Sequence, residues 1–198
     1  MLIHGVCYST MLHEEPFVFM RLGRAVERIG QTARILDVKQ HSLDDNERDE
    51  SAADAAQWLA ILRSCTGVDA FFQRSTSVLS GAAVAEFLLF ERAFPRAVLY
   101  NFDNVRELLA QLRQSDPPAL RRPSWNRLER LRGSLLQISG SGVQELGLSD
   151  VLTSIVDGTA ELCSAIHADY LGPAPEDLIR GARRIRAIPA EPSSLRSA

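Results

Sequence analysis

Several things are scarce in this sequence of 198 residues. No apolar run approaches the roughly 18 residues that a membrane-spanning helix needs. There are only three cysteines, Cys7, Cys65 and Cys163, far apart and without a CxxC pair. Such a set reads as small buried hydrophobes in a reducing compartment rather than a disulfide frame. Net charge is −3, so the basic footprint of a nucleic-acid binder is missing from the chain as a whole. The amino terminus has no basic stretch followed by an apolar one, which argues against a signal peptide and for a cytoplasmic setting.

Signatures of catalysis are equally thin. No GxxxxGK[ST] loop occurs, and no GxGxxG lies between a strand and a helix, so an ATP-binding role would sit in a partner and no cofactor is expected. Ser139 to Gly142 reads as a bend, since no strand precedes it. No Glu-x-x-His pair of the di-iron bundle type is found. His4, His13, His41 and His167 are dispersed, and His13-Glu14-Glu15 reads as a polar helix end rather than a metal site.

What remains is a helical pattern without sustained period-2 alternation. Apolar residues make up 45% of the chain, enough to build a core. The expected fold is all-α, a helical bundle of about six to seven helices. One domain spans 1–172, and a tail rich in Pro, Arg and Ser spans 173–198, with one amphipathic turn around Leu178–Ile185. The first helix is expected over about 2–13. The second starts after Glu14-Glu15, with Pro16 in its first turn, and runs to about Lys39. The acidic stretch His41 to Asp49 reads as a solvated loop. A third helix, bent at Gly67, is expected over about 51–74, a fourth over Ala82–Arg92 and a fifth from Pro95 to about Gln114. A sixth follows Pro123-Ser124, and a last one runs over about Val143–Tyr170, with Gly147 and Gly158 as weak points.

The second helix is the informative one. Phe19, Leu22, Val26, Ile29, Ala33 and Leu36 follow a 3-4-3-4-3 spacing and form one apolar seam. One position on runs a second stripe of Met20, Gly23, Glu27, Gly30, Arg34 and Asp37. Each interior glycine costs a helix about 0.8–1 kcal/mol against alanine, so something is expected to approach the backbone closely there. Glu27, placed at the edge of the core, calls for a cation, with Arg24 and Arg34 nearest in sequence and Arg92, Arg96 and Arg106 able to arrive from other helices. A salt-bridge network that fixes helix register is the plain structural account of Glu27 and Arg34. Arg21, Arg24 and Arg28 fall three and four apart on another face and could form a small anion-binding surface.

The stretch from Phe17 to Val38, FVFMRLGRAVERIGQTARILDV, resembles the signature helix of the bacterial alpha-E family, with Glu27-Arg28 at the ER that names it. Trp58–Cys65 (WLAILRSC), Val84–Phe90 (VAEFLLF) and Phe94–Val98 (FPRAV) are similar to three further motifs in the family's order. The resemblance is to the second half of a domain that is usually longer and carries an ER-type helix in each half. Ile29-Gly30-Gln31 replaces a more polar stretch, and Ala97 replaces a serine. Because family members are encoded beside, or fused to, circularly permuted ATP-grasp and transglutaminase-like proteins, the resemblance implies an accessory or partner-binding subunit of a system making or processing an amide-linked product. The alternative is an enzyme that binds a small carboxylate or amino-acid-like ligand at a Glu27/arginine site. A half-length chain would also suit a two-fold homodimer. The candidate residues are therefore Glu27, Arg28, Arg24, Arg21, Arg34, Asp37 and Arg96, with no metal.

Overall fold

A computed structural model describes residues 2–44, 52–75, 78–116, 122–138 and 147–172. These form α1 (Leu2–Thr10), α2 (Glu15–Asp44), α3 (Ala52–Ser64), α4 (Val68–Arg74), α5 (Gly81–Phe90), α6 (Val98–Leu112), α7 (Pro123–Ile138) and α8 (Leu148–Ile166). A 3-10 turn, Arg113–Ser115, ends α6, and a π-helical turn, His167–Leu171, ends α8. No strand is present among the described residues, as the periodicity predicts. The tail expected from 173 onward lies outside the described residues.

Four helices form a ring in which each runs antiparallel to its neighbours. Arg21 and Thr32 of α2 bond to Asn104 and to the Arg96 carbonyl, so α2 and α6 run in opposite directions. Asp103 and Arg106 of α6 pair with Arg132 and Glu129 of α7. Arg127 of α7 pairs with Glu161 of α8, and Phe19 at the start of α2 meets Tyr170 edge-on at 5.7 Å, which closes the ring. α2 shares its largest contacts with α6 and α8. The predicted seam faces the ring's interior: Leu22, Val26, Ile29, Ala33 and Leu36 are all buried, three of them completely, and Phe19 at its start is half-buried. Each large apolar side chain buried this way contributes about 1.5–3 kcal/mol.

α3, α4 and α5 pack against one end of the α2–α6 pair around Trp58, Phe71, Phe87 and Phe94. The expected third helix is two helices, because the chain stops at a Schellman closure. The Thr66 and Gly67 amides donate to the Arg63 and Leu62 carbonyls at 2.9 and 2.8 Å. Thr66 takes the left-handed position, φ 51°, where glycine is usual. The glycine is needed one place later: a Cβ on Gly67 would lie 2.9 Å from the Phe94 ring. Gly81 is required in the same way, since a Cβ there would sit 2.6 Å from the Trp58 indole.

The ends of the first two helices also shift by a few residues. α1 ends at Thr10 rather than 13, and α2 continues through Asp44, into the stretch expected to be a loop. Ser80 caps α5 by accepting from the Ala83 amide, and α7 begins at Pro123 itself rather than after Pro123-Ser124. Gly158, expected as a weak point of the last helix, instead permits close packing, because a methyl group there would overlap Leu131. Of the cysteines only Cys65 is fully buried; Cys7 is half-buried and Cys163 exposed.

Candidate functional site

α2 is flanked by α6 on one side and α8 on the other, and the candidate residues divide between these flanks. On the α6 flank, Arg21, Arg24 and Arg28 lie half-buried along the seam between the helices. Arg21 donates to Asn104 Oδ1 at 3.5 Å and covers the Phe17 ring at 6.0 Å. Arg28 reaches the turn before α6 and donates to the Pro95 carbonyl at 3.3 Å. That turn carries Arg96, so the cation sought from another helix arrives, but beside arginines rather than beside Glu27.

The turn is held from three directions. Thr32, completely buried, donates from Oγ1 to the Arg96 carbonyl at 2.8 Å. Asn101, also completely buried, donates from Nδ2 to the Pro95 and Ala97 carbonyls at 3.1 and 2.7 Å. Its Oδ1 has no partner among the described residues. α6 begins at Val98 with Ala97 as its cap residue, whose side chain offers the first amides of that helix no acceptor. The serine that stands at this position in the resembled motif is the residue type that would cap them. The positive end of the helix dipole therefore faces the same region as Arg28 and Arg96.

Charge is uncompensated here. Among the described residues, Arg21, Arg24, Arg28 and Arg96 form no ion pair with a carboxylate. Burial, and after it the like charges of Arg24 and Arg96, draw the Arg28 guanidinium below its ordinary pKa; Tyr100 and Glu27 pull the other way. The group remains a cation, since a guanidinium's ordinary value lies so far above neutrality. Such a cluster is suited to an oxyanion, which would offer each guanidinium a two-pronged hydrogen bond.

Glu27 forms no ion pair with it among the described residues and acts on Arg28 only as a weak neighbouring charge. The side chain is exposed and accepts from Gln31 Nε2 at 2.8 Å, one turn along the same helix. Arg34 is exposed as well, so the expected register-fixing network between helices is not built at these residues. The reason is rotation: one step past the seam turns a side chain by about 100°, enough to carry it out of the core. Of the other candidates, Asp37 is half-buried, Arg106 pairs with Glu129, and Arg92 is exposed. No group of three His, Cys, Asp or Glu able to hold a metal ion occurs among the described residues. No helix there is long and apolar enough to cross a membrane.

On the α8 flank, Gly23 is exposed and Gly30 is buried. A Cβ built on Gly23 or Gly30 would meet no atom within 4 Å, so no described part of the chain approaches the backbone there. Gly23 instead lines an open groove of about 580 Å³, mainly apolar, with Phe19, Leu22 and Val26 on one wall and Ile166 and Leu171 on the other.

Missed from sequence were Thr32 and Asn101, buried beneath the arginine turn, and half-buried Tyr100, whose charge acts on Arg28. Thr32 stands inside the signature motif, and that place is the signal that could have found it; its complete burial is visible only in the fold.

An all-helical arrangement among the described residues, with the ER pair Glu27-Arg28 on α2, points to a class of protein. Residues 1–171 match the profile of Alpha-E, described as a predicted alpha-helical domain with a conserved ER motif. The chain belongs to the Alpha-E family. No curated protein and no solved structure matches it.

Proposed function

We propose that this chain is an accessory, partner-binding helical subunit of a bacterial system that makes or processes an amide-linked product, working beside an ATP-grasp-type ligase or a transglutaminase-like protein. The observation that carries this reading is the cluster of Arg24, Arg28 and Arg96, which forms no ion pair among the described residues and whose Arg96 turn is held by Thr32 and Asn101. A cluster of cations without internal partners is stabilised when an anionic group meets it. In an accessory subunit that group is an acidic patch on the partner. Family membership supports the setting, since the resembled proteins accompany such enzymes.

A second reading draws on the rigidity of the same site. Arg28 and Arg96 beside the uncapped start of α6 would also suit the carboxylate of a small amino-acid-like ligand. In this reading arginine, not Glu27, supplies the recognition.

The test is capture of the tagged chain from its native extract, followed by mass spectrometry. Enrichment of an ATP-grasp or transglutaminase-like protein is expected, with loss of that protein in the Arg24→Glu/Arg28→Glu double variant at unchanged helicity. Capture that survives the double reversal would sink the docking surface. Calorimetry with free glutamate separates the second reading: heat of binding that vanishes in Arg96→Ala would favour a small carboxylate.

A further inference from the structure

α2 presents on its α8 flank a run of Gly23, Glu27, Gly30 and Arg34, continuing to Val38 one turn further. Three observations there are independent of the arginine face. First, space is open: Gly30 shows little surface of its own, yet no atom lies within 4 Å of where its Cβ would stand, and the same holds for Gly23. Second, the charges on this run are exposed, and neither Glu27 nor Arg34 is ion-paired among the described residues. Third, an apolar groove opens at the Gly23 end, while Val38, at the other end, is 70% exposed.

These features match one another when the run is reversed. A two-fold axis near Gly30 sets each position against the one equally far on the other side. Glu27 then faces Arg34, Arg34 faces Glu27, and Val38 of each copy faces Gly23 and its groove in the other. Reversal sets negative against positive at both pairs and an exposed apolar side chain against an open apolar hollow at both ends. An unrelated partner would need no such internal symmetry. Exposed Gly23 leaves the backbone open to the partner, and at Gly30, itself buried, the missing Cβ keeps the surface at the crossing point low.

We propose that a second copy of this chain occupies this flank, its α2 lying antiparallel across the first with the two-fold axis near Gly30. The self-complementary charge order and the apolar groove on α2 carry this inference, and it stands whether or not the arginine face binds a ligase.

Charge reversal supplies a test with an internal control. Glu27→Arg alone sets two arginines against one another at each pair, and Arg34→Glu alone sets two glutamates. Each should weaken self-association at least about tenfold, since like charges juxtaposed across an interface are unfavourable. Mixed in equal amounts, the two variants restore opposite charges at both pairs and should form a one-to-one heterodimer. Light scattering on the full chain from about 1 to 100 µM, a range that brackets weak and moderate dimers, reads the mass of each, and native mass spectrometry reads the composition of the mixture. Val38→Glu, which removes the apolar plug without touching the charges, should also weaken the dimer. A wild-type chain that is monomeric at about 100 µM overturns the proposal. So does a dimer that is indifferent to both single reversals and to Val38→Glu, or a mixture that stays monomeric.

Discussion

The two flanks of α2 are built from one helix and differ in almost every physical respect. Toward α6, arginines lie half-buried, backbone carbonyls are held by Arg28, Thr32 and Asn101, and charge accumulates without neutralisation. Toward α8, beyond the shared seam, the surface carries glycines, one charge of each sign and an apolar hollow. The first flank is rigid and single-signed, which suits recognition of an anion. The second is open and balanced in charge, which suits another helix.

Substitutions on α2 can break this contrast or sharpen it. Ile29, completely buried in the seam between the flanks, should give the largest effect. Ile29→Ala is expected to lower stability by about 2–5 kcal/mol in chemical denaturation, because a cavity opens where both neighbouring helices pack. Both surfaces would suffer together, so a loss of anion binding alone would contradict the placement of this residue.

Thr32→Val should act on one flank only. Shape is retained, but the Arg96 carbonyl loses its buried donor, at a cost of about 1–2 kcal/mol. The arginine turn would loosen, and partner capture should weaken while self-association stays intact. Equal damage to both surfaces would mean that the flanks are coupled through α2.

Gly30→Ala carries the smallest expected effect and the opposite sign. With nothing in the way of the added methyl, the dilute chain should gain about 0.8–1 kcal/mol from helix propensity. Self-association should become weaker because the backbones are held apart. Thermal melts at low and high protein concentration separate the two effects, since a dimer's melting point rises with concentration.

Much of the fold was legible in the sequence. The 3-4 spacing of Leu22, Val26, Ile29, Ala33 and Leu36 identified the buried seam, and Pro123 and Ser80 marked helix starts, because those signals act within a few residues. The alpha-E resemblance likewise rested on local motifs. Three features escaped for want of local cause. The bend expected at Gly67 is a full break, closed at Thr66 by backbone bonds in a left-handed position that no glycine marks. The support of Arg96 by Thr32 joins residues that only the fold brings together. Glu27 was expected at the core's edge, and its exposure depends on how α2 is rotated between α6 and α8, which spacing alone does not specify.

The closure of the ring by Phe19 and Tyr170 has a kinetic consequence. α6 with α7, and α7 with α8, are neighbours in sequence and can pair as helical hairpins after short loop closures. α2 must find α8 across nearly the whole described chain, and the π-helical turn that presents Tyr170 is tied to the start of α7, where Arg122 lies over the Tyr170 ring at 4.2 Å and Asp169 accepts from the Ser124 amide. Contacts of such long sequence separation form late. The central helix of the native state is thus expected to be the last to dock, and substitutions along the Phe19–Tyr170 closure should accelerate unfolding far more than they slow folding.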